Sequence, residues 1–283
     1  MTFSPLESPD PILLFLHIPK TAGTTLEKYF YAAYDPGKPS VSEEDGMLNY
    51  GIYHYPGGFD KEDTGRLSDL ARVLRRSDVR VAMGHFSFGV HEFQSRGATY
   101  GTLLRDPIER VISLGCHNLI WSGKDQERSV TVDELEDYLF NAMRTEFDND
   151  QTRRVSGLEP EFGCCTASML AKAKKNLSDH FSIVGLTERF NESLVLFRRV
   201  LGWGWDEIYY LPRLVNPRRP GRAALSPAVI DLMRERNSLD LELYTYASGV
   251  FEAFLESQDP DFDDEVAALE SMRETHIRRY GLY

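Results

Sequence analysis

The chain has 283 residues, 42% of them hydrophobic and 27% charged, with 32 Lys and Arg against 44 Asp and Glu and a formal net charge of −12 at pH 7. Such a length buries a substantial core in one large domain or two small ones, so a miniature cross-linked scaffold is excluded. The acidic balance argues against a protein that coats nucleic acid or anionic membrane, because neutralising phosphate takes an excess of Lys and Arg.

Cysteine usage points the same way as the length. Cys116, Cys164 and Cys165 are odd in number and two are adjacent, so they build neither a disulfide framework nor a zinc spacing, and a reducing compartment is implied. The apolar run from Pro11 to Ile18 falls far short of the ~20 residues of a membrane helix. Acidic Glu7 and Asp10 precede it, where a signal peptide is basic. The expectation is a soluble, cytoplasmic protein without a transmembrane anchor.

Residues 12–16 are continuously apolar and of strand length; a Gly/Thr turn follows, then Leu26, Tyr29, Phe30 and Ala33 at helical spacing. Residues 35–63, rich in Gly and Pro, read as a long surface loop. Leu67, Leu70, Ala71 and Leu74 give a helical stripe, and a strand over residues 79–83 ends in Gly84-His85. A further strand, Thr99 to Leu104, runs into Arg105. Asp106 then reads as a helix N-cap, Pro107 as the first helical residue and Glu109 as a capping-box carboxylate.

Helices are predicted over 131–142 and 166–176, a strand from Phe181 to Leu186, and a helix on through Val200. Ser226-Pro227 opens another, Leu239, Leu243, Tyr246, Ala247 and Val250 continue an apolar stripe, and a last helix spans Val266 to Arg279 beyond the acidic run 259–265. Alternating strands and helices define an α/β class with a mainly parallel sheet. One domain over 1–283 is expected, with its sheet in about 10–205 and a helical C-terminal part at about 225–283.

The chemistry concentrates in two strand-to-helix junctions. The first is His17-Ile18-Pro19-Lys20-Thr21-Ala22-Gly23-Thr24-Thr25, where backbone N–H groups and a helix N-terminus face the carboxyl edge of the sheet, an anion-binding geometry. Gly23 allows close approach, Lys20 adds a mobile charge, and Thr21, Thr24 and Thr25 add hydroxyls. It is not a Walker A loop, since Lys20 precedes the glycine, and an ordinary turn with a Thr cap fits the same residues.

The second junction runs from Leu103 to Ser113. Arg105 offers a planar fork of donors at the strand end, and Ser113 lies about two turns into the helix. A surface Arg paired with Asp or Glu is the alternative there. Two anion sites on one sheet edge suit a bisphosphorylated nucleotide.

Together these segments resemble the sulfotransferase family of the heparan sulfate 2-O- and 6-O-sulfotransferases and their bacterial relatives. Matching stretches extend over nearly the whole chain: Gly84 through Glu92, Asp150 through Arg153, Gly185 through Phe190, and Asn237 through Tyr244. The resemblance implies a P-loop-like three-layer fold and a reaction that moves a sulfuryl group from PAPS to a hydroxyl acceptor, a saccharide or another alcohol, releasing adenosine 3′,5′-bisphosphate (PAP). It further implies that Pro19, Lys20, Thr21, Ala22, Gly23, Thr24 and Thr25 cradle the 5′-phosphosulfate, with Lys20 on the bridging oxygen. Arg105 and Ser113 would hold the 3′-phosphate, and His85 would be the base, a buried histidine bonded to backbone being the alternative.

His91 and Glu92 are second choices for that base, and His17 is given a structural role. The basic loop 213–222 supplies Arg218, Arg219 and Arg222 as further 3′-phosphate candidates, a solvated basic loop being the alternative. Tyr50, Tyr53, His54, Tyr55 and Phe59 are candidates to line an acceptor pocket or to pack as a covering loop. A sulfuryl group carries less negative charge than a phosphoryl group, so no metal is expected. The rival readings are a P-loop-type kinase, which needs an acid at a neighbouring strand end where this sequence has Gly84-His85, and a non-catalytic PAP- or glycan-binding module.

Overall fold

Five buried residues in a row, Ile12–Leu16, form β1 at the centre of the sheet. A strand that is apolar at every position has to be covered on both faces, as parallel sheets are. The computed structural model describes residues 11–34, 48–49, 52–58, 71–76, 79–93, 97–123, 128–205 and 219–280.

The remaining strands are β2 (Leu48–Asn49), β3 (Ile52–Gly58), β4 (Val81–His85), β5 (Ala98–Leu104) and β6 (Phe181–Leu186), in the spatial order β2-β3-β4-β1-β5-β6. From β3 to β6 every neighbouring pair is parallel; β2 alone runs antiparallel, against β3. The helices are α1 (Gly23–Tyr34), α2 (Pro107–Trp121), α3 (Val132–Asn141), α4 (Asp150–Ser156), α5 (Ala167–His180), α6 (Phe190–Leu201), α7 (Pro227–Arg236), α8 (Ser238–Glu256) and α9 (Asp261–Tyr280).

Alternation along the strands sorts the layers. Phe15 packs on Phe30 of α1 at 5.3 Å and on Phe197 of α6 at 5.9 Å between ring centroids. Leu14 points to the other face, in register with Tyr100, whose ring meets Phe88 at 4.9 Å and Phe181 at 5.1 Å. All these aromatic residues are buried, each contributing roughly 1.5–3 kcal/mol relative to exposure. A second apolar cluster joins α2, α3 and α7 through Ile108, Val111, Leu135, Leu139 and Met233. The C-terminal third is helical as expected, and its helices dock on different partners: α7 on α3, α9 on α6 through Arg198 and Arg199 to Glu265.

Two expectations change. Residues 48–49 and 52–58, read as part of a loop, form β2 and β3 at one side of the sheet; Pro56 is tolerated because β2 pairs only with Ile52 and Tyr53 and the β3–β4 register is interrupted between Tyr55 and Gly58. The strand expected over 79–83 lies at Val81–His85, which makes His85 a strand residue.

The order of strands reverses at β1: β4 and β3 lie on one side, β5 and β6 on the other. The crevice at such a switch point, outside the carboxyl ends of the strands, is where open α/β sheets bind ligands. Here the strand ends deliver His17, His85, Arg105 and Thr187-Glu188 to one rim.

Candidate active site

The loop from β1 to α1 is tight enough to push two non-glycine residues into left-handed backbone, Lys20 at φ 71° and Ala22 at φ 67°. Positive φ in ordinary residues costs energy and concentrates at functional sites. The hydroxyl of buried Thr21 donates inward to Ile18 O at 2.9 Å, and Thr187 donates to Thr21 O at 2.9 Å, so the loop is braced from within and from β6's end. Thr24 is exposed at the head of α1, and Thr25 N donates to Ala22 O at 2.9 Å. Gly23 and Thr24 stand in the first helical turn, whose N–H groups have no intrahelical acceptor.

Gly23 is required for a reason other than ligand approach. A Cβ there would lie 2.1 Å from His17 Cδ2, because the imidazole of His17 occupies that space. His17 in turn stacks 4.6 Å from His85.

Arg105 reaches the same loop. Its Nη1 donates to Lys20 O at 2.9 Å, which ties the two strand-to-helix junctions together. Burial lowers the Lys20 ammonium below its usual value, and the nearby charges of Arg105 and Arg219 lower it further. Burial and then Arg219 likewise lower Arg105. Three cations thus converge, and carboxylates stand near two of them. Arg105 Nε stands 3.9 Å from Glu188, and Arg219 Nη2 donates to Glu109 at 3.0 Å.

Arg105 Nε and Arg219 Nη1 are buried donors with no hydrogen-bond partner among the described residues. Buried donors without acceptors are costly. An anion with several oxygens fits that donor set. Arg222 lies 3.7 Å from Asp106 at the rim of the same cluster, while Arg218 falls outside the described residues.

Ser113 is half-buried on α2, one turn before Cys116 and His117. The Lys20 charge adds to burial in lowering His117 and opposes burial in raising Cys116, so this face of α2 borders the cation cluster. Neither Cys116 nor His117 was singled out from the sequence, since a lone Cys or His on a helix carries no motif.

Asp106 caps α2 as expected, accepting from Ile108 N and Glu109 N, both at 2.9 Å. The capping-box role given to Glu109 is not what the structure shows. Asp106 N donates to Glu188 at 3.2 Å, and Glu109 pairs with Arg219 instead. Glu188 also accepts from Tyr244 at 2.7 Å, a junction between β6 and α8 that local spacing could not reveal.

His85 is half-buried at the end of β4. Its Nδ1 lies 2.8 Å from His17 O. A carbonyl only accepts, so Nδ1 carries the proton there, and in the neutral imidazole Nε2 is the basic nitrogen. His91 and Glu92, the second choices, are elsewhere. His91 bonds Tyr100 Oη at 2.9 Å and packs 5.4 Å from His180, near the amino-terminal ends of β5 and β6, opposite the rim that holds Lys20. Tyr53, His54 and Tyr55 belong to β3, whose register with β4 is given by the backbone; Tyr50 and Phe59 fall outside the described residues.

α4 completes the frame mostly from polar residues, with Val155 as its one apolar anchor. Asn149, at φ 52°, makes no side-chain cap to its own helix. The cap comes from α8: fully buried Asp240 accepts from Gln151 N at 3.1 Å and Thr152 N at 2.7 Å. Burial raises the Asp240 carboxyl, opposed by Arg110 and these N–H groups. Arg153 is fully buried and held by Asp148 O at 2.6 Å.

The rim gathers cations at the carboxyl ends of a parallel sheet, and comparison with known proteins names the family. Residues 3–280 match the galactose-3-O-sulfotransferase family model, and the chain belongs to that family. A stretch of 85 residues is 34% identical to galactose-3-O-sulfotransferase 3 of Homo sapiens, covering 30% of this chain and 20% of that protein. Over 86% of this chain and 66% of the relative, it is 24% identical to heparan-sulfate 6-O-sulfotransferase 1 of Homo sapiens. The matched stretch therefore spans about a fifth of the first relative's length and about two thirds of the second's. The sulfotransferase resemblance seen in the sequence holds. No helix among the described residues is long and apolar enough to cross a membrane.

Proposed function

We propose that the protein is an O-sulfotransferase that uses PAPS and a saccharide hydroxyl, yielding a sulfate ester and PAP. The observation that supports this reading is the convergence of Lys20, Arg105 and Arg219, with two buried Arg donors that lack a hydrogen-bond partner among the described residues, at the rim that also holds a histidine whose Nδ1 faces a backbone carbonyl.

When bound, PAPS supplies a sulfuryl group already activated by its phosphate leaving group. The chain's residues do the rest. Arg105 and Arg219 hold the 3′-phosphate, with Ser113 on the adjoining helix face. The N–H groups of Gly23 and Thr24 and the head of α1 receive the 5′-phosphate. Lys20 stabilises the charge that develops on the departing oxygen. His85 takes the acceptor's proton at Nε2 while Nδ1 stays bonded to His17 O. The names of the relatives point to galactose-bearing or heparan-sulfate-type saccharides as acceptors.

The test is incubation with radiolabelled PAPS and three probes: a galactose-terminated disaccharide, a heparan-type oligosaccharide and a simple aliphatic alcohol. Label on a saccharide supports the reading. Tight PAP binding with no transfer to any acceptor would make the protein a binding module, and phosphate transfer from ATP in place of sulfuryl transfer would make it a kinase.

A further inference from the structure

α4 has seven residues, Asp150–Ser156. A helix that short does not hold itself in water. It nonetheless contacts both catalytic strand ends. Gln151 clasps the backbone of Arg105 at two points: its Nε2 donates to Arg105 O and its Oε1 accepts from Arg105 N, each at 2.9 Å. Three residues on, and so on the same helix face, Arg154 donates from Nη1 to His85 O at 2.9 Å.

Arg154 is itself fixed. Its Nε donates to Asp150 Oδ1 at 3.0 Å, while the other oxygen of Asp150 accepts from Arg110 Nη1 at 3.2 Å. Arg110 is fully buried on α2, the helix that begins at the Arg105 junction. The segment after His85 is fastened to α4 as well: Phe88 N donates to Arg154 O at 2.8 Å, and Gly157 lies so close to Phe88 that a Cβ would stand 2.3 Å from its carbonyl oxygen.

We propose that α4 is the alignment element of the transfer site: Gln151 fixes the donor-holding end of β5, Arg154 fixes the base-bearing end of β4, and Arg154 is thereby a positioning residue for His85. This rests on the reading of His85 as the base. In-line transfer demands that base, acceptor and donor be held within about 0.5 Å of the productive geometry. His85 is held at Nδ1 by His17 O and at its own carbonyl by Arg154, and the second of these holds belongs to α4. Removing Arg154 leaves Asp150 paired with Arg110, so no buried charge is stranded and the fold has a reason to survive.

The experiment is a double-mutant cycle on the full chain, with PAP affinity by calorimetry and transfer to whichever probe saccharide is sulfated. Arg154→Ala is expected to lower kcat about 10-fold to 100-fold while PAP affinity stays within about twofold. Arg154→Lys, which reaches the carbonyl with one donor, restores part of the loss. In a His85→Ala background Arg154→Ala lowers the rate no further. Gln151→Ala weakens PAP binding more than Arg154→Ala does. Should Arg154→Ala unfold the chain, Arg154→Lys carries the same comparison, with kcat reduced and PAP affinity kept.

An equal loss from Arg154→Ala with and without His85 overturns the proposal. So does an unchanged kcat in Arg154→Ala while His85→Ala is inactive, which would leave the base reading standing. Full transfer by His85→Ala would instead remove the base reading itself.

Discussion

Gly23→Ala is a one-methyl change with a calculable effect. The added Cβ would sit 2.1 Å from His17 Cδ2 and 2.9 Å from Cγ, whereas ordinary contact begins near 3.4 Å, so the ring or the start of α1 must retreat by about 1.3 Å. The clash involves the root of a rigid ring, and His17 is buried between Phe15 and His85 at centroid distances of 6.3 Å and 4.6 Å. Overpacking of this kind costs about 1–3 kcal/mol. For a chain of this size that is roughly 2–4 °C of Tm per kcal/mol, hence a fall of about 2–12 °C.

Because α1 begins at Gly23 and offers its first N–H groups to the 5′-phosphate, PAP affinity falls together with Tm. Thermal unfolding and calorimetry read both. The double variant His17→Ala/Gly23→Ala opens the space the methyl needs while keeping the His17 carbonyl that holds His85. It should therefore regain stability relative to the sum of the single changes. A Gly23→Ala protein with unchanged Tm and unchanged PAP affinity would refute the placement of His17 against α1.

His85→Ala should lower transfer about 10²–10⁴-fold with PAP affinity nearly intact, as removal of a general base does; matched kinetics and calorimetry decide it. Arg105→Ala should weaken PAP binding by roughly 1.5–3 kcal/mol, about 10-fold to 150-fold, the range for a hydrogen bond to a charged group. Lys20 titrates below 10.5 in the free protein, so between its lowered value and 10.5 the unfolded chain holds more protons and stability rises with pH. An anion returns the proton, so PAP binding at alkaline pH should take protons up. Calorimetry in buffers of different ionisation enthalpy measures that uptake, and Lys20→Met should abolish the Lys20 share. Asp240→Asn leaves one of the two N–H groups at the head of α4 without its acceptor, at a cost of about 1–3 kcal/mol in a urea melt.

The parts of the fold legible in the sequence are those whose cause is local. Residues 12–16 and 181–186 are apolar at nearly every position, and Asp106-Pro107 is a helix start that needs nothing from afar. β3 escaped notice because Pro56, Gly57 and Gly58 lie inside it, and composition alone reads as loop. α4 escaped notice because residues 150–154 are all polar; apart from Val155, it is held by Asp240 and the buried ion pairs, which no periodicity records.

The same division runs through the site. Lys20 and Arg105 are visible as charges at strand-to-helix turns, and Arg219 as part of a basic loop. Glu188, Tyr244 and Arg154 acquire their roles from partners 56 to 82 residues away. The glycine at 23 was assigned to ligand approach, since the ring that occupies its missing side chain belongs to a residue given only a structural role.

The trans cap on α4 also sets an order of assembly. Asp240 follows Gln151 by 89 residues, and Asn237 follows Asn149 by 88. During synthesis the strand ends carrying the base and the donor cations emerge long before the residues that let α4 form. A nascent chain stopped at residue 236 would already contain β1 to β6 and every residue assigned here to transfer. It would be inert because its alignment helix had not yet been nucleated, so the ribosome would have to release most of the polypeptide before the enzyme could turn over.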